Sequence, residues 1–468
     1  MAYTTVNKGT DHFNTLTWTG NGSSSRNITG VGFQPDLTWI KNRDETQWHF
    51  LFDSVRGASR AIHPNEPNAE SSQIPCLSAF LSDGFTVGTD IASNGSGDNI
   101  VAWNWKAGGT APAVTYTVKV VSDSGNKYRF DDFGTSAVTL DLQEGGVYTF
   151  DQSDSSNSNH PLRFSTTSNG THGGGSEYTT GVVATGVPGQ SGAKTVITVA
   201  ASAPTLFYYC TQHSGMGGQA NTNSLFGSSN FGGSIQSKAS VNATSGFSIV
   251  EWTGDGSESS TVGHGLGAEL NLLITKETTG ADWWHHVQTG MSSASHNVFW
   301  NNNNVERVPH NDGHLKLLSN TSSFGFDSST SNVNAVNHSG IENIAYCFKN
   351  VPGFSKFGSY KGNGNATYGP FIYTGFKPAF TMVKRIDVAN DWNMQDIKRA
   401  LNGEDRILQA NNNNGENVGG GYKIDKLSNG FKCRESGTET NADGGTYIYM
   451  AFAEAPQVGT NNVPCTAR

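Results

Sequence analysis

The chain has 468 residues, a formal net charge of −9, only 15% charged residues and no basic block. This charge balance argues against a nucleic-acid-binding function based on phosphate neutralisation. The length exceeds that of one ordinary domain, and 10 Trp, 14 Tyr and 25 Phe are enough to fill several cores. With 57 Gly in the sequence, short strands joined by many turns are the expected structure.

The cysteines and the first residues bear on where the protein is made. Five cysteines occur at wide, irregular spacing: Cys76, Cys210, Cys347, Cys433 and Cys465. Their odd number and lack of pattern predict no disulfide framework. The opening MAYTTVNKGT has neither a basic region nor an apolar run, and no long apolar stretch follows. We therefore expect synthesis in a cytoplasm, no secretory signal and no membrane insertion.

One pattern occurs three times along the chain and indicates the domain organisation. Each copy opens with an aromatic residue and a Gly-Asn-Gly or Gly-Asp-Gly turn, continues with an apolar strand ending in Lys, and finishes with another apolar strand. The strand-ending lysines are Lys41, Lys276 and Lys384. Alternating apolar residues and frequent turn signals predict β-sandwiches of a jelly-roll or concanavalin-like kind at 1–110, 246–352 and 353–456.

A segment of different character lies between the first two copies. Residues 111–220 contain few of the repeated motifs and are predicted to form strands. The Gly-, Ser- and Asn-rich stretch 221–245 is expected to be a linker, and 457–468 a C-terminal tail. The predicted fold class is all-β: tandem sandwich modules plus one inserted β-domain.

Four residues of the inserted segment have the types and the order of a copper site. Cys210, His213 and Met216 follow the strand-like run TLFYYC at the spacing Cys-x-x-His-x-x-Met, and His160 lies upstream in SNSNHPLRFS. A thiolate stabilises Cu(I), two imidazoles suit Cu(II), and a weak thioether tunes the potential. Copper is therefore the predicted cofactor. A further histidine, His172, lies in a Gly-rich stretch and is not expected to bind the metal.

The inserted segment resembles a cupredoxin domain of the plastocyanin and amicyanin kind. The resemblance rests on YYCTQHSGM, which matches the ligand loop, and on GGVYTFDQSDSSNSNHPLRF, which matches the segment with the first ligand. It implies a Greek-key β-sandwich with His160 and His213 as imidazole ligands, Cys210 as the thiolate and Met216 as the axial ligand. A copper-binding electron-transfer function is one alternative that follows, although the missing export signal argues against it.

The repeats resemble modules of virion structural proteins of marine tailed phages, including cyanophages. The motifs GFQPDLTWIKNR, FDSVRG, LSDGF and VAWNWKAGG occur in the first copy, whereas the other two copies are diverged and lack FDSVRG. The resemblance implies a non-enzymatic tail-fibre or whisker protein, located in the virion, with a role in assembly or host attachment. Its implied partners are other virion proteins and further copies of itself, with a trimer favoured. A capsid decoration protein is the alternative.

A tryptophan follows the Lys-ended strand in each copy: Trp48, Trp283 with Trp284, and Trp392. The pair Trp283 and Trp284 is the expected place for stacking against a host-surface glycan, although one of the two is also a natural core residue. An enzyme acting on polysaccharide would need paired carboxylates in a cleft. No acidic pair stands out in the sequence, so we predict no catalytic residues and no enzymatic activity.

Overall fold

The computed structural model describes residues 4–72, 75–400 and 402–456. Nearly all regular structure is β, which confirms the predicted all-β class. Within these described ranges the two α-helices are single turns, α1 (Ile91–Asn94) and α2 (Asn334–Asn337). Among the described residues no helix is long and apolar enough to cross a membrane. The predicted tail at 457–468 lies outside the described residues.

The first repeat forms a sheet in the order β1-β9-β3-β4, a second sheet in the order β2-β8-β7 and a small β5-β6 pair. Its strands are β1 (Phe13–Thr19), β2 (Arg26–Thr29), β3 (Leu37–Asn42), β4 (Phe50–Asp53), β5 (Arg60–Ala61), β6 (Ser71–Ser72), β7 (Ala79–Leu81), β8 (Gly84–Val87) and β9 (Asn99–Trp105).

The inserted domain follows with two mixed sheets, β11-β10-β13-β16-β15 and β12-β18-β17-β14. Its strands are β10 (Ala113–Ser122), β11 (Asn126–Phe130), β12 (Leu140–Gln143), β13 (Val147–Asp151), β14 (Leu162–Ser165), β15 (Val182–Thr185), β16 (Lys194–Thr198), β17 (Leu206–Cys210) and β18 (Gly218–Asn223). The pairs β10-β13 and β12-β18 are parallel, and the other pairs are antiparallel. One aromatic core, including Tyr116, Phe130, Phe150 and Phe164, lies within this domain.

The main sheet of the second repeat has the same strand order as that of the first repeat, with three added strands: β19-β20-β21-β28-β23-β24-β25. Its second sheet has the order β22-β27-β26. Its strands are β19 (Ser228–Asn230), β20 (Ser237–Asn242), β21 (Phe247–Thr253), β22 (Thr261–Gly263), β23 (Leu272–Glu277), β24 (His285–Gln288), β25 (Val298–Phe299), β26 (His314–Lys316), β27 (Ser323–Asp327) and β28 (Glu342–Phe348).

The third repeat has the sheets β29-β37-β31-β32-β33-β34 and β30-β36-β35. Its strands are β29 (Ser355–Lys361), β30 (Phe371–Tyr373), β31 (Phe376–Arg385), β32 (Trp392–Asp396), β33 (Arg406–Gln409), β34 (Asn417–Val418), β35 (Ile424–Leu427), β36 (Gly430–Cys433) and β37 (Thr446–Pro456). In all three repeats the opening strand pairs with the closing strand, which pairs with the Lys-ended strand.

The first sheet of each repeat is buried on both faces. In β3, Ile40 faces a core formed with the second sheet of the same repeat, whereas Leu37 and Trp39 face a core that all three repeats share. In that shared core Trp39 and Trp300 lie 5.0 Å apart, measured between ring centroids. Strands β3, β23 and β32 are accordingly buried at every position, including their polar residues. We call the three repeats together, residues 4–110 and 228–456, the repeat body.

Hydrogen bonds between repeats close the repeat body into a cycle. The Tyr346 hydroxyl of the second repeat donates to Asp53 Oδ2 of the first at 2.8 Å, and Trp103 Nε1 of the first donates to Asp396 Oδ2 of the third at 3.0 Å. Gln288 Nε2 of the second repeat donates to the Tyr449 carbonyl oxygen of the third at 3.1 Å. Each repeat is therefore linked to both of the others.

The prediction of a linker at 221–245 is wrong. Strand β18 extends to Asn223, and β19 and β20 add two strands to the sheet of the second repeat. Phe231, between those two strands, packs against Phe133 with ring centroids 5.3 Å apart, and the Tyr116 hydroxyl donates to the Ser229 carbonyl oxygen at 2.8 Å. The stretch therefore fastens the inserted domain to the second repeat, because the ring of Phe231 provides an apolar anchor.

Candidate metal centre

Strand pairing in the inserted domain brings the distant His160 next to Cys210. Strands β14 and β17 are antiparallel, with Leu162 opposite Cys210, and the Thr211 amide donates to the Pro161 carbonyl oxygen at 3.2 Å. His160 therefore lies just before β14, beside the loop that follows β17. The same loop contains His213 and Met216 and ends at the start of β18.

Three of the four predicted ligands converge. Cys210 Sγ lies 3.8 Å from His160 Nδ1 and 3.8 Å from His213 Nδ1, and the three ligand atoms all lie within 4.8 Å of one another. At metal–sulfur and metal–nitrogen distances of about 2.3 and 2.0–2.1 Å, ligands separated by an angle of about 120° would be about 3.8 Å apart. The spacing of these donor atoms therefore fits one metal ion between them.

Exposure increases across the cluster from the sulfur to the second imidazole. Cys210 is buried, His160 is half-buried and His213 is exposed. Burial, followed by the proximity of His213, lowers the pKa of His160 below its usual value. The neutral imidazole, which is the form that binds metal, is therefore favoured at neutral pH.

Met216, the fourth predicted ligand, is buried at the end of the ligand loop. Its side chain is 1% exposed and belongs to the same apolar core as Cys210. Its carbonyl oxygen accepts a hydrogen bond from the Tyr128 amide at 3.0 Å, which ties the loop to β11. A Cβ on the next residue, Gly217, would overlap the Tyr208 carbonyl oxygen, so the loop closes onto β17 only with Gly at that position.

Several residues that the sequence did not single out hold the ligands in place. The His160 carbonyl oxygen accepts from the Tyr128 hydroxyl and from Gln152 Nε2, each at 2.8 Å. Asn169 binds the ligand loop twice: its Oδ1 accepts from the Gly215 amide, and its Nδ2 donates to Ser214 Oγ, both at 2.8 Å. None of these residues has a distinctive spacing, so the sequence offered no signal for them.

His172 is placed near the site but outside the cluster of ligand atoms. Its Nε2 lies 3.1 Å from the Cys210 carbonyl oxygen. It therefore contacts the backbone of a predicted ligand residue, and the expectation that it does not bind the metal stays a prediction.

The two tryptophans predicted to contact a glycan have different environments. Trp284 is fully buried in the shared core, and its Nε1 donates to the His63 carbonyl oxygen at 2.8 Å. The prediction of glycan contact is therefore wrong for Trp284, because its ring fills a junction between two repeats. Trp283 is 37% exposed and lies at the surface of the second repeat.

The four cysteines that the structure describes form no disulfide with one another. Among the described residues Cys76, Cys210, Cys347 and Cys433 are all free and buried. Cys465 lies outside the described residues. Burial raises the pKa of the Cys76, Cys347 and Cys433 thiols, which keeps them protonated and unreactive.

Comparison with known proteins yields one family. No curated protein and no solved structure matches the chain significantly. The family described as Domain of unknown function (DUF7483) matches residues 8–131 and 217–456, and the stretch between them contains all four predicted copper ligands. Because the match covers well over half of the sequence, the chain belongs to the DUF7483 family.

Proposed function

We propose that the inserted domain binds one copper ion through His160, Cys210 and His213, with Met216 as a weak fourth ligand. The observation that carries the proposal is the convergence of one sulfur and two imidazole nitrogens within 4.8 Å. One soft thiolate, two imidazoles and a distant thioether form the ligand set of blue-copper sites. Zinc sites rarely have this combination of ligands.

The residues around the cluster have defined roles in this proposal. Bound copper would supply one-electron exchange between Cu(I) and Cu(II). The apolar core around Cys210 keeps water from the sulfur, and the hydrogen bonds to the His160 carbonyl oxygen fix the backbone of that ligand. The exposed His213 forms the side of the site that faces solvent.

Titration of the full-length protein with Cu(II) tests the proposal. We expect one copper per chain by elemental analysis and an intense visible absorption band from a Cu(II)–thiolate bond. Cys210→Ser should abolish the band. His172→Ala is the matched control, because this residue contacts the Cys210 carbonyl oxygen but is not a ligand, and the band should persist. A wild-type protein without the band, or a band that persists in Cys210→Ser, would refute copper binding at this site.

We also propose that the repeat body has a structural role in a virion, as a component of a fibre or whisker-like appendage. The supporting observation is that three similar modules surround one shared core. Such a chain has an approximately threefold arrangement that suits a threefold site in a larger assembly. The motif resemblance of the first repeat agrees with this role. A capsid decoration protein would use the same body.

The virion role is tested on the intact particle. Mass spectrometry of purified virions should detect the chain, and an electron-microscopy map should place the repeat body in an appendage, where the expected self-association is also visible. Absence of the chain from purified particles would reject the virion proposal and leave the copper proposal unaffected.

A further inference from the structure

A small cavity opens beside Trp283 in the second repeat, far along the chain from the copper ligands. Its volume is about 110 Å³, and its wall includes Asp282, Trp283, His285, Arg307, Asp312 and His314. At roughly 30 Å³ for each molecule of liquid water, this is the space of three to four waters. The cavity can therefore accept one edge of a small polar molecule.

Two buried histidines in the wall have nitrogen atoms without a partner. His285 and His314 are each 2% exposed, and within the described part of the chain neither His285 Nε2 nor His314 Nδ1 has a hydrogen-bond partner. Burial lowers the pKa of His285 to about 3 and that of His314 to about 4, so both rings are neutral. His285 Nδ1 faces Asn297 Oδ1 at 3.2 Å and must donate its proton there, which leaves Nε2 as an acceptor.

The rest of the wall combines an aromatic surface with further acceptors. Trp283 is 37% exposed, its ring centroid lies 4.7 Å from that of Phe299, and the Arg307 guanidinium lies 5.2 Å from it. The carboxylates of Asp282 and Asp312 also line the cavity. Acceptors next to an exposed indole suit a ligand that offers several hydroxyl donors and an apolar face.

The arrangement disfavours a metal ion. In the described residues, only His160, Cys210 and His213 bring three ligand atoms of His, Cys, Asp or Glu within 4.8 Å of one another. The positive charge of Arg307 also lies in the wall of the cavity. Recognition through hydrogen bonds is therefore favoured over coordination.

We propose that this cavity binds the edge of a neutral pyranose sugar, whose hydroxyl groups donate to His285 Nε2 and His314 Nδ1 and whose C–H face contacts Trp283. A neutral sugar meets the unpaired acceptors without bringing a negative charge toward Asp282 and Asp312. This inference goes beyond both proposed functions, because it requires neither copper nor a virion, and it would provide a glycan contact for host attachment.

The first repeat offers matched controls. Ile40, the residue before Lys41, pairs with Phe50, and Thr275, the residue before Lys276, pairs with His285. Phe50 and His285 therefore occupy equivalent positions in the two repeats. The variant His285→Phe therefore installs a side chain that the same strand position already accommodates. Trp48, equivalent to Trp283 and 40% exposed, lies outside this cavity and serves as the control position.

Saturation-transfer NMR and calorimetry on the full chain test the inference, with the methyl pyranosides of glucose, galactose, mannose and N-acetylglucosamine as probes. Using a Cys210→Ser background separates this test from copper binding. We expect saturable binding of at least one probe, a dissociation constant weakened by about tenfold or more in Trp283→Ala and His285→Phe, and no change in Trp48→Ala.

Three results would overturn the inference. The first is that none of the four methyl pyranosides binds. The second is that Trp283→Ala binds them with the same dissociation constant as the Cys210→Ser background. The third is that the background binds Zn²⁺ tightly and His285→Phe does not. The last result would identify the cavity as a cation site.

Discussion

The repeat body and the inserted domain are both all-β, yet the Asp396–Arg399 pair of the first and the Cys210 cluster of the second are arranged in opposite ways. In the repeat body, Asp396 and Arg399 have fully buried side chains that pair at 2.5 Å, and Trp103 of another repeat donates to the same carboxylate. In the inserted domain, Cys210 and two imidazoles converge at a site whose exposure increases toward His213. One arrangement satisfies its polar groups internally, and the other leaves them available.

The two arrangements serve different purposes: the buried ion pair stabilises the fold, whereas the cluster around Cys210 can bind a ligand. A buried charge network with every partner in place fixes how packed elements are positioned, because loss of one partner leaves an uncompensated charge. A sulfur and two imidazole nitrogens that converge beside solvent have the opposite property, because they can take up a cation. Variants in the two regions should therefore have separable effects on unfolding and on copper binding.

The largest expected effect comes from Asp396→Ala. This change removes the acceptor for Trp103 and one of two carboxylate partners of the buried Arg399, whose other partner is Glu416, so we expect the free energy of unfolding to fall by about 3 kcal/mol. Urea unfolding followed by tryptophan fluorescence measures it. The control is Asp11→Ala, whose pair with Lys8 is largely exposed and should contribute little. An unchanged midpoint for Asp396→Ala would show that the links between repeats do not stabilise the repeat body.

A smaller effect is expected at the junction of the two regions. Phe231 is 6% exposed and lies against Tyr116 and Phe133 of the inserted domain. Phe231→Ala should destabilise the inserted domain by about 3 kcal/mol and separate its unfolding from that of the repeat body. Leu225→Ala, at an exposed position nearby, is the control. A single unfolding transition with the wild-type midpoint would contradict this role for Phe231.

The sequence predicted those features that local spacing encodes. The Lys-ended strands at Lys41, Lys276 and Lys384 occupy equivalent positions in three sheets, and the order of Cys210, His213 and Met216 along one loop placed His213 beside the sulfur. The choice of His160 as the remote ligand also agrees with the observed cluster.

The features that the sequence did not predict depend on contacts between distant segments. A tryptophan follows the Lys-ended strand in each copy, but the sequence did not show which ones are equivalent. Strand pairing aligns Trp284 and Trp392 with His49, and both indoles donate to carbonyl oxygens of a neighbouring repeat. Only packing between repeats reveals which tryptophan is buried. The composition of 221–245 likewise concealed β19 and β20, which pair with each other and with β21, and it gave no sign of the contact between Phe231 and the distant Phe133.

The smallest expected effect uses pH to compare the two regions. The second repeat buries four neutral histidines, with pKa values lowered by burial to about 4 for His264 and His314 and about 3 for His285 and His286. Their folded-state pKa values lie below that of an unfolded histidine, so the unfolded chain binds more protons as the pH falls below about 6.5 and the repeat body loses stability.

For His285 alone this loss between pH 7 and pH 5 is about 2 kcal/mol, given a pKa of about 3 in the folded state and about 6.5 in the unfolded state. His285→Phe should remove that part of the pH dependence, whatever it does to stability at pH 7, because phenylalanine takes up no proton. Urea unfolding of both proteins at the two pH values measures the difference, and His310→Ala, at an exposed histidine, should retain the wild-type dependence. Identical pH dependence in wild type and His285→Phe would mean that the pKa of His285 is the same in the folded and unfolded states, and it would contradict the burial of this ring as a neutral group beside Trp283.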